Sequence, residues 1–201
     1  MLQHRVYTWP EFLPREGEWI NALFEKGLPC LHVRKPQSSW QEGQALLRQI
    51  EPVYHARIIL HQHWDLGADF GVGGGHWTEA QRANHPDFEQ TVLAQQAQGW
   101  QVGTAIHHPQ QLASLPSCLD YVTVSPIFES ISKPNYKASY TWEDHGKHPY
   151  TLVALGGITP SNLAAVQARG FKAVALLGAI WQPSTSIIDN YQQLCLALQQ
   201  L

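Results

Sequence analysis

Thr151–Ile158 reads TLVALGGI and Ala173–Trp181 reads AVALLGAIW, and these two stretches decide the fold. Each opens on an apolar run too short for a buried helix, rich enough in Val and Leu for a strand, and closed by glycine. Between them, Thr159-Pro160-Ser161-Asn162 sets a capping hydroxyl and a proline at the first helical position ahead of a helical pattern. Strand, paired-glycine turn, helix, strand, glycine is a βαβ unit with bare backbone at two neighbouring strand ends. Glycine lets backbone N–H groups approach a ligand closely, and helix N-termini favour negative charge. In a (β/α)8 barrel the loops after the seventh and eighth strands are the usual phosphate site. The reading is therefore a phosphorylated small molecule held here; the alternative is that the glycines only make tight turns.

Working outward, strand-like runs recur at Leu2–Thr8, Cys30–Val33, Arg57–His61, Phe70–Trp77, Gln101–Ile106, Tyr121–Ser125, Leu152–Leu155 and Ala173–Leu177. Helical stretches fall between most of them, at Glu18–Lys26, Trp40–Ile50, His85–Ala97, Pro109–Leu115 and Pro160–Arg169, with Ile187–Leu201 closing the chain. Alternation of this kind means a parallel sheet with right-handed crossovers, and eight strands fit a closed barrel better than an open sheet. The chain has 201 residues, whereas a full barrel takes roughly 250. His63–Phe70 is too short for a good helix, and His145–Tyr150 also reads as a reduced connection. The expected fold is α/β, a somewhat abbreviated (β/α)8 TIM barrel, one domain over residues 1–201.

A net charge of −3 with only 13 Lys and Arg gives no electrostatic footprint for nucleic acid or an anionic membrane. Any anion site must rest on backbone amides and one or two placed cations. Cys30, Cys118 and Cys195 have no CxxC spacing, which argues for buried free thiols in a reducing compartment. The leading MLQHRVYTW has no charged-then-apolar pattern, and no apolar run approaches the roughly 18 residues that span a bilayer. The expectation is a soluble, cytoplasmic protein with no membrane and no nucleic-acid partner; a homo-oligomer is compatible with the sequence.

Eleven histidines are present, several of them at strand ends: His32, His61 and His63, His76, and His107 with His108. The C-terminal ends of barrel strands are where catalytic side chains sit. His61-Gln62-His63 puts two imidazoles on one face of an extended segment, a spacing that chelates metal when a further ligand joins it. His107 is a candidate general acid/base, because imidazole titrates near neutral pH. For any one histidine the structural alternative is a polar strand-end residue bonded to a loop carbonyl. After the sixth strand, Glu129–Lys137 forms a polar loop with Ser130, Ser132 and Lys133, a composition suited to clamping an anion and closing over the mouth.

Taken together, the motifs resemble a known family. SPIFESISKP (Ser125–Pro134) resembles the GPVFPTxTK segment of the thiamine phosphate synthase and TenI superfamily. VGTAIH (Val102–His107) is similar to its GVSVH strand, and LHVRK (Leu31–Lys35) to its QLRDK strand. ALGGITPSNL (Ala154–Leu163) and VALLGAI (Val174–Ile180) are similar to its VAIGGI…N and VAVVSAI signatures. The resemblance implies a TIM barrel acting on small phosphorylated thiazole and pyrimidine substrates. It implies that Gly156, Gly157 and Gly178 hold the thiazole phosphate through backbone amides. It further implies that Arg34, Ser130, Ser132 and Lys133 occupy positions that contact pyrophosphate in the synthases.

The synthases also carry an Asn-Asp pair after the third strand and an acidic residue after their GVHLGQ strand, which hold Mg2+. Here the third strand ends in Leu60-His61-Gln62-His63, and after the fourth only Glu79 offers a carboxylate. TenI-type members move protons on a thiazole phosphate carboxylate with a histidine after the fifth strand, the position of His107. The preferred expectation is thus a TenI-like thiazole tautomerase, with His107 and Lys133 as the catalytic residues and neither metal nor cofactor. The alternative is a divergent thiamine phosphate synthase that uses Mg2+. A barrel hydrolase with a metal on His61, His63 and a further histidine, and a non-catalytic phosphate-ligand binding protein, complete the readings.

Overall fold

The computed structural model describes residues 2–129, 142–144, 147–182 and 186–201. Among them, eight parallel strands close into a barrel in chain order: β1 (Gln3–Tyr7), β2 (Leu31–Val33), β3 (Ile58–Leu60), β4 (Gly74–Trp77), β5 (Gln101–Ile106), β6 (Tyr121–Val124), β7 (Thr151–Leu155) and β8 (Ala173–Leu176). Closure is made by β8 against β1, with His4 opposite Val174 and Val6 opposite Leu176. The (β/α)8 architecture expected from strand–helix alternation is the one observed.

Strand side chains alternate between the two faces of the sheet, and here the faces differ in chemistry. The outward set is apolar: Val6, Leu31, Ile58, Val102, Val122, Leu152 and Val174 are completely buried under the helices. Ile20, Leu23 and Phe24 of α1 (Glu16–Glu25), Leu46 and Leu47 of α2 (Trp40–Gln49), and Tyr191, Leu194 and Leu198 of the C-terminal helix cover them. The inward set changes around the barrel. Arg5, Tyr7, His32, His76, Tyr121 and Thr123 are buried polar or aromatic residues, whereas Val153, Ala173 and Ala175 on β7 and β8 are small and apolar. Glycine makes room for this interior: a Cβ on Gly103 would lie 2.4 Å from the Tyr121 ring.

The connections are short, as the chain length requires. Ser39 caps α2 through a reciprocal pair with Glu42, and Pro52–Arg57 adds a 3-10 turn before β3. After β3 the chain makes one five-residue helix, α3 (Leu66–Phe70), closed by Gly71 at φ 65°. The fourth strand therefore begins at Gly74 and not at Phe70, because Phe70 completes α3. A further short helix, α4 (Glu79–Ala83), follows Thr78, whose side chain accepts from the Gln81 amide. α5 (Phe88–Ala97) then leads to β5. Pro109–Ser114 is a 3-10 turn where an α-helix was expected, and no helix joins β6 to β7 among the described residues. Pro160–Asn162 and α6 (Leu163–Ala168) join β7 to β8, and α7 (Ile187–Gln199) ends the barrel. No helix among the described residues is long and apolar enough to cross a membrane.

Candidate active site

A cavity of about 790 Å3 opens at the C-terminal ends of the strands, within the range of roughly 300–1,000 Å3 typical of small-molecule sites. One rim is the backbone following β7 and β8. Gly156 and Gly157 stand at φ 98° and 65°, a region costly for any residue with a Cβ. A Cβ on Gly156 would sit 2.9 Å from Pro126 Cα, and one on Gly157 would sit 2.3 Å from the Glu129 carbonyl oxygen. The turn is held there because the Ile127 amide donates to Leu155 O (3.0 Å) and the Phe128 amide to Gly156 O (3.1 Å). Asn162 Nδ2 donates to Gly157 O at 2.8 Å. Both glycine carbonyls are thus committed to protein partners, so the N–H groups are what the turn can offer an anion. Gly178 lines the same rim after β8.

The adjoining wall follows β1 and β2. Arg34 lines the cavity, its amide donating to Thr8 Oγ1 at 2.9 Å. Its neighbour Lys35 points the other way and is buried. Lys35 Nζ donates to both Glu16 carboxylate oxygens at 2.6 and 2.7 Å, and to the Trp9 and Glu11 carbonyls at 2.8 Å each. This ion pair ties the Trp9–Glu11 loop, which also lines the cavity, to β2. Burial pushes the Glu16 carboxyl up and the Lys35 amine down from their ordinary values, and their mutual contact opposes both shifts.

His107 stands half-buried on the cavity wall after β5. Its Nδ1 lies 3.0 Å from the Ser125 carbonyl oxygen. A carbonyl only accepts, so Nδ1 is the donor of this bond, and in the neutral ring Nε2 keeps the lone pair a general base needs. The His107 and His108 amides both donate to Gln111 Oε1 at 2.9 Å, and Gln111 Nε2 donates to Glu79 Oε1, joining the ends of β4 and β5.

The inner end of the cavity is aromatic and polar. Tyr7, His61, His76 and Thr123 line it, and all four are buried. Tyr7 stacks on His32 with ring centroids 4.3 Å apart, and His61 stacks on His76 at 4.3 Å. Tyr7 OH and Thr123 Oγ1 are 3.2 Å apart, and His76 Nδ1 and Tyr121 OH 3.1 Å apart. Burial holds His32 and His61 well below the usual imidazole range and His76 down to about 3, so these rings are neutral. It pushes Tyr7 up to about 12.

The structure brings Arg34, His107, Gly156, Gly157 and Gly178 to one cavity. Ser130, Ser132 and Lys133 lie outside the described residues. The His61-Gln62-His63 pair does not converge. His63, at φ 55°, turns away and its Nε2 donates to the Ser38 carbonyl at 2.9 Å. His61 instead meets His32 and His76, the three offering ring nitrogens within 4.8 Å of one another. Sequence reasoning missed Arg5, Tyr7, Tyr121 and Thr123, although alternation within QHRVY and YVTV places each pair on one face.

The residues present do not fit Mg2+. That ion takes hard oxygen ligands, usually one or two carboxylates beside phosphate groups. After β3 the residue lining the cavity is the imidazole of His61, and the Asp65 carboxylate further on is not in the lining and accepts from Trp40 Nε1 at 2.6 Å. Among the described residues lining the cavity the carboxylates are Glu11, after β1, and Glu79, already engaged by Gln111.

Comparison with known proteins extends this picture. The family model described as thiamine monophosphate synthase matches residues 12–180. A thiamine-phosphate synthase of Yersinia pestis (strain Pestoides F) is 29% identical over 184 residues, 84% of this chain and 82% of that protein. One from Klebsiella pneumoniae is 27% identical over 192 residues, 89% of this chain and 87% of its own length. Among solved structures, a thiamine phosphate pyrophosphorylase from Bacteroides thetaiotaomicron superposes with TM-score 0.76 at 26% identity, covering 98% of both chains.

Proposed function

The chain belongs to the thiamine monophosphate synthase family, and from that premise we propose that it joins a pyrimidine pyrophosphate to a thiazole phosphate and releases pyrophosphate. The observation that carries this reading is one cavity with two kinds of anion donor, backbone N–H groups at the β7–β8 rim and the Arg34 guanidinium after β2. The glycine turns suit a phosphate monoester, which needs many short donors and close approach. A guanidinium in the same cavity suits a pyrophosphate, because it is always charged and binds phosphate oxygens through paired N–H groups. The curated relatives named above are synthases, and that favours this reading over the tautomerase expectation. In the reaction the bond from pyrimidine methylene carbon to pyrophosphate breaks, a bond from that carbon to the thiazole nitrogen forms, and pyrophosphate leaves with the electron pair. Arg34 holds the departing charge, and the β7 and β8 turns fix the thiazole.

The test is to mix the purified protein with both substrates and follow thiamine phosphate and pyrophosphate, with and without a chelator. Product formation that Arg34→Gln reduces supports the reading. No thiamine phosphate under either condition overturns it.

One observation favours a second reading, proton transfer on a thiazole phosphate carboxylate. His107 is fixed in the tautomer whose Nε2 is basic, and proton transfer uses that group with an anion anchor alone. Aromatisation of the carboxylate that His107→Asn abolishes, in protein that makes no thiamine phosphate, would select it.

A further inference from the structure

Lys35 stands where three loops meet. Its ammonium has three N–H donors, and two carbonyls and one carboxylate take them: Trp9 O and Glu11 O at 2.8 Å each, and Glu16 at 2.6 and 2.7 Å. The Phe12 ring lies over the ammonium, its centroid 4.7 Å from Nζ. Only 1% of Lys35 is exposed, so it touches no ligand itself. Its carbonyl is equally committed, accepting from the Ser38 amide and hydroxyl at 2.9 Å each and from Gln62 Nε2. One residue thus gathers the segments that follow β1, β2 and β3. The residue before it is pinned as well. Thr8 Oγ1 accepts from the Arg34 amide at 2.9 Å and donates to the Arg34 carbonyl at 3.2 Å. Arg34 is therefore fixed through its own backbone and through the next residue, while its side chain lines the cavity.

A buried ion pair is an inefficient source of stability, since well-packed apolar residues of similar volume often serve as well. What it supplies is direction, because a hydrogen-bonded charge holds its acceptors at set points and an apolar contact does not. We propose that Lys35 is a positioning residue: with Glu16 it holds the Trp9–Glu11 loop and the end of β2 as one rigid wall, and so keeps the Arg34 guanidinium aimed at an anion in the cavity. A long side chain keeps paired N–H groups on a phosphate only while its support is locked. The clamp stands whatever the ligand; that the anion is a pyrophosphate group rests on the synthase reading. The glycine rim after β7 is held by other bonds, from the Ile127 and Phe128 amides and Asn162 Nδ2, and shares none with the clamp. A phosphate held at that rim should not feel the loss of Lys35.

Lys35→Met alone strands the Glu16 carboxylate, so the test pairs it with Glu16→Gln, which removes both charges and keeps an acceptor for the Leu13 amide. Hydrogen exchange of the whole protein, read by mass spectrometry, should quicken about tenfold or more over residues 9–13 and 34–38 and stay unchanged over β7 and β8. Unchanged exchange over residues 9–13 and 34–38 overturns the clamp whatever the ligand. In calorimetric titrations, inorganic pyrophosphate should bind the double variant about tenfold or more weakly than the parent, while the thiazole phosphate keeps its affinity. Adding Arg34→Gln to the double variant should then cost little, because a misplaced guanidinium has little affinity left to lose. Losses that simply add, or equal weakening of both ligands, overturn the positioning role. Thr8→Val repeats the test without touching a charge. It frees the Arg34 backbone and should weaken pyrophosphate alone; unchanged pyrophosphate affinity overturns the proposal. A parent protein that binds no pyrophosphate, with the exchange pattern as expected, counts against the synthase reading and not against the clamp.

Discussion

The cavity is built in two ways. Around β7 and β8 the polar groups offered to a ligand belong to the backbone, and the side chains nearby are apolar or absent: Leu155, Ala175, Leu177 and the three glycines Gly156, Gly157 and Gly178. Around β1 to β4 they belong to side chains buried inside the barrel, where Arg5, His32, His61 and His76 fix one another. The first kind of site depends on what is missing, a Cβ at two or three positions. The second depends on partners, since each buried polar group is tolerable only while it is satisfied. Substitutions at the two ends should therefore fail differently, by steric intrusion at one and by unpaired polar groups at the other.

The sharpest break is expected at Lys35. Lys35→Met leaves the Glu16 carboxylate buried without its cation, which should cost about 3–5 kcal/mol of stability in denaturant unfolding. Adding Glu16→Gln should recover most of that loss. If the single substitution is nearly neutral, the wall after β1 and β2 does not depend on partnership.

His107 lies between the two regions, and its effect should appear in rate and not in stability. His107→Asn keeps a donor toward the Ser125 carbonyl but removes the basic Nε2. If proton transfer is part of turnover, kcat should fall about 100- to 10,000-fold with the unfolding midpoint unchanged. If turnover falls only through KM, His107 serves binding alone.

On the backbone side, Gly157→Ala places a Cβ at φ 65° and 2.3 Å from the Glu129 carbonyl. The backbone conformation alone should cost about 1–3 kcal/mol. The added methyl should also weaken binding of the thiazole phosphate, read by calorimetry, more than it weakens binding of the pyrimidine pyrophosphate. Equal weakening of both would mean that the rim does not divide the substrates as proposed.

The same contrast explains what the sequence made legible. The β7–β8 unit could be read from TLVALGGITPSN because a glycine turn is a local signal: strand, paired glycine, cap and helix occur within a dozen neighbours. The alternation of strands and helices gave the barrel for the same reason. The inner end of the cavity is assembled from residues far apart in the chain, Arg5, His32, His61 and His76, and no local pattern announces their meeting. His61-Gln62-His63 read as a pair because strand alternation was extended three residues past the end of β3. The chain turns at that point, and His63 at φ 55° goes to Ser38. His107 was found because a histidine at a barrel strand end is informative by itself. Its basic nitrogen was settled only by the Ser125 carbonyl.

The smallest effect expected is also the one that tests whether the inner end is held neutral. His76 titrates near 3 and His4, packed under α7 against Tyr191, near 4, with His32 and His61 well below the ordinary range, all through burial. In the unfolded chain each titrates near 6.5, so below that pH the unfolded state binds more protons and stability must rise with pH. The contribution of these histidines is complete above about pH 6.5 and is lost progressively as pH falls toward the folded-state values. Each neutral histidine should steepen the loss by about 1.4 kcal/mol per pH unit in that window. His76→Phe keeps a ring against His61 and Tyr121 while removing one proton site. Urea midpoints measured between about pH 7 and pH 5 should therefore fall less steeply in the variant by one histidine's share. Gly157→Ala should leave the slope unchanged while lowering the whole curve, because its cost is steric and carries no proton. Parallel curves for the parent and His76→Phe would mean that His76 is solvated or charged in the folded protein, and the distinction between the two ends would lose its electrostatic basis.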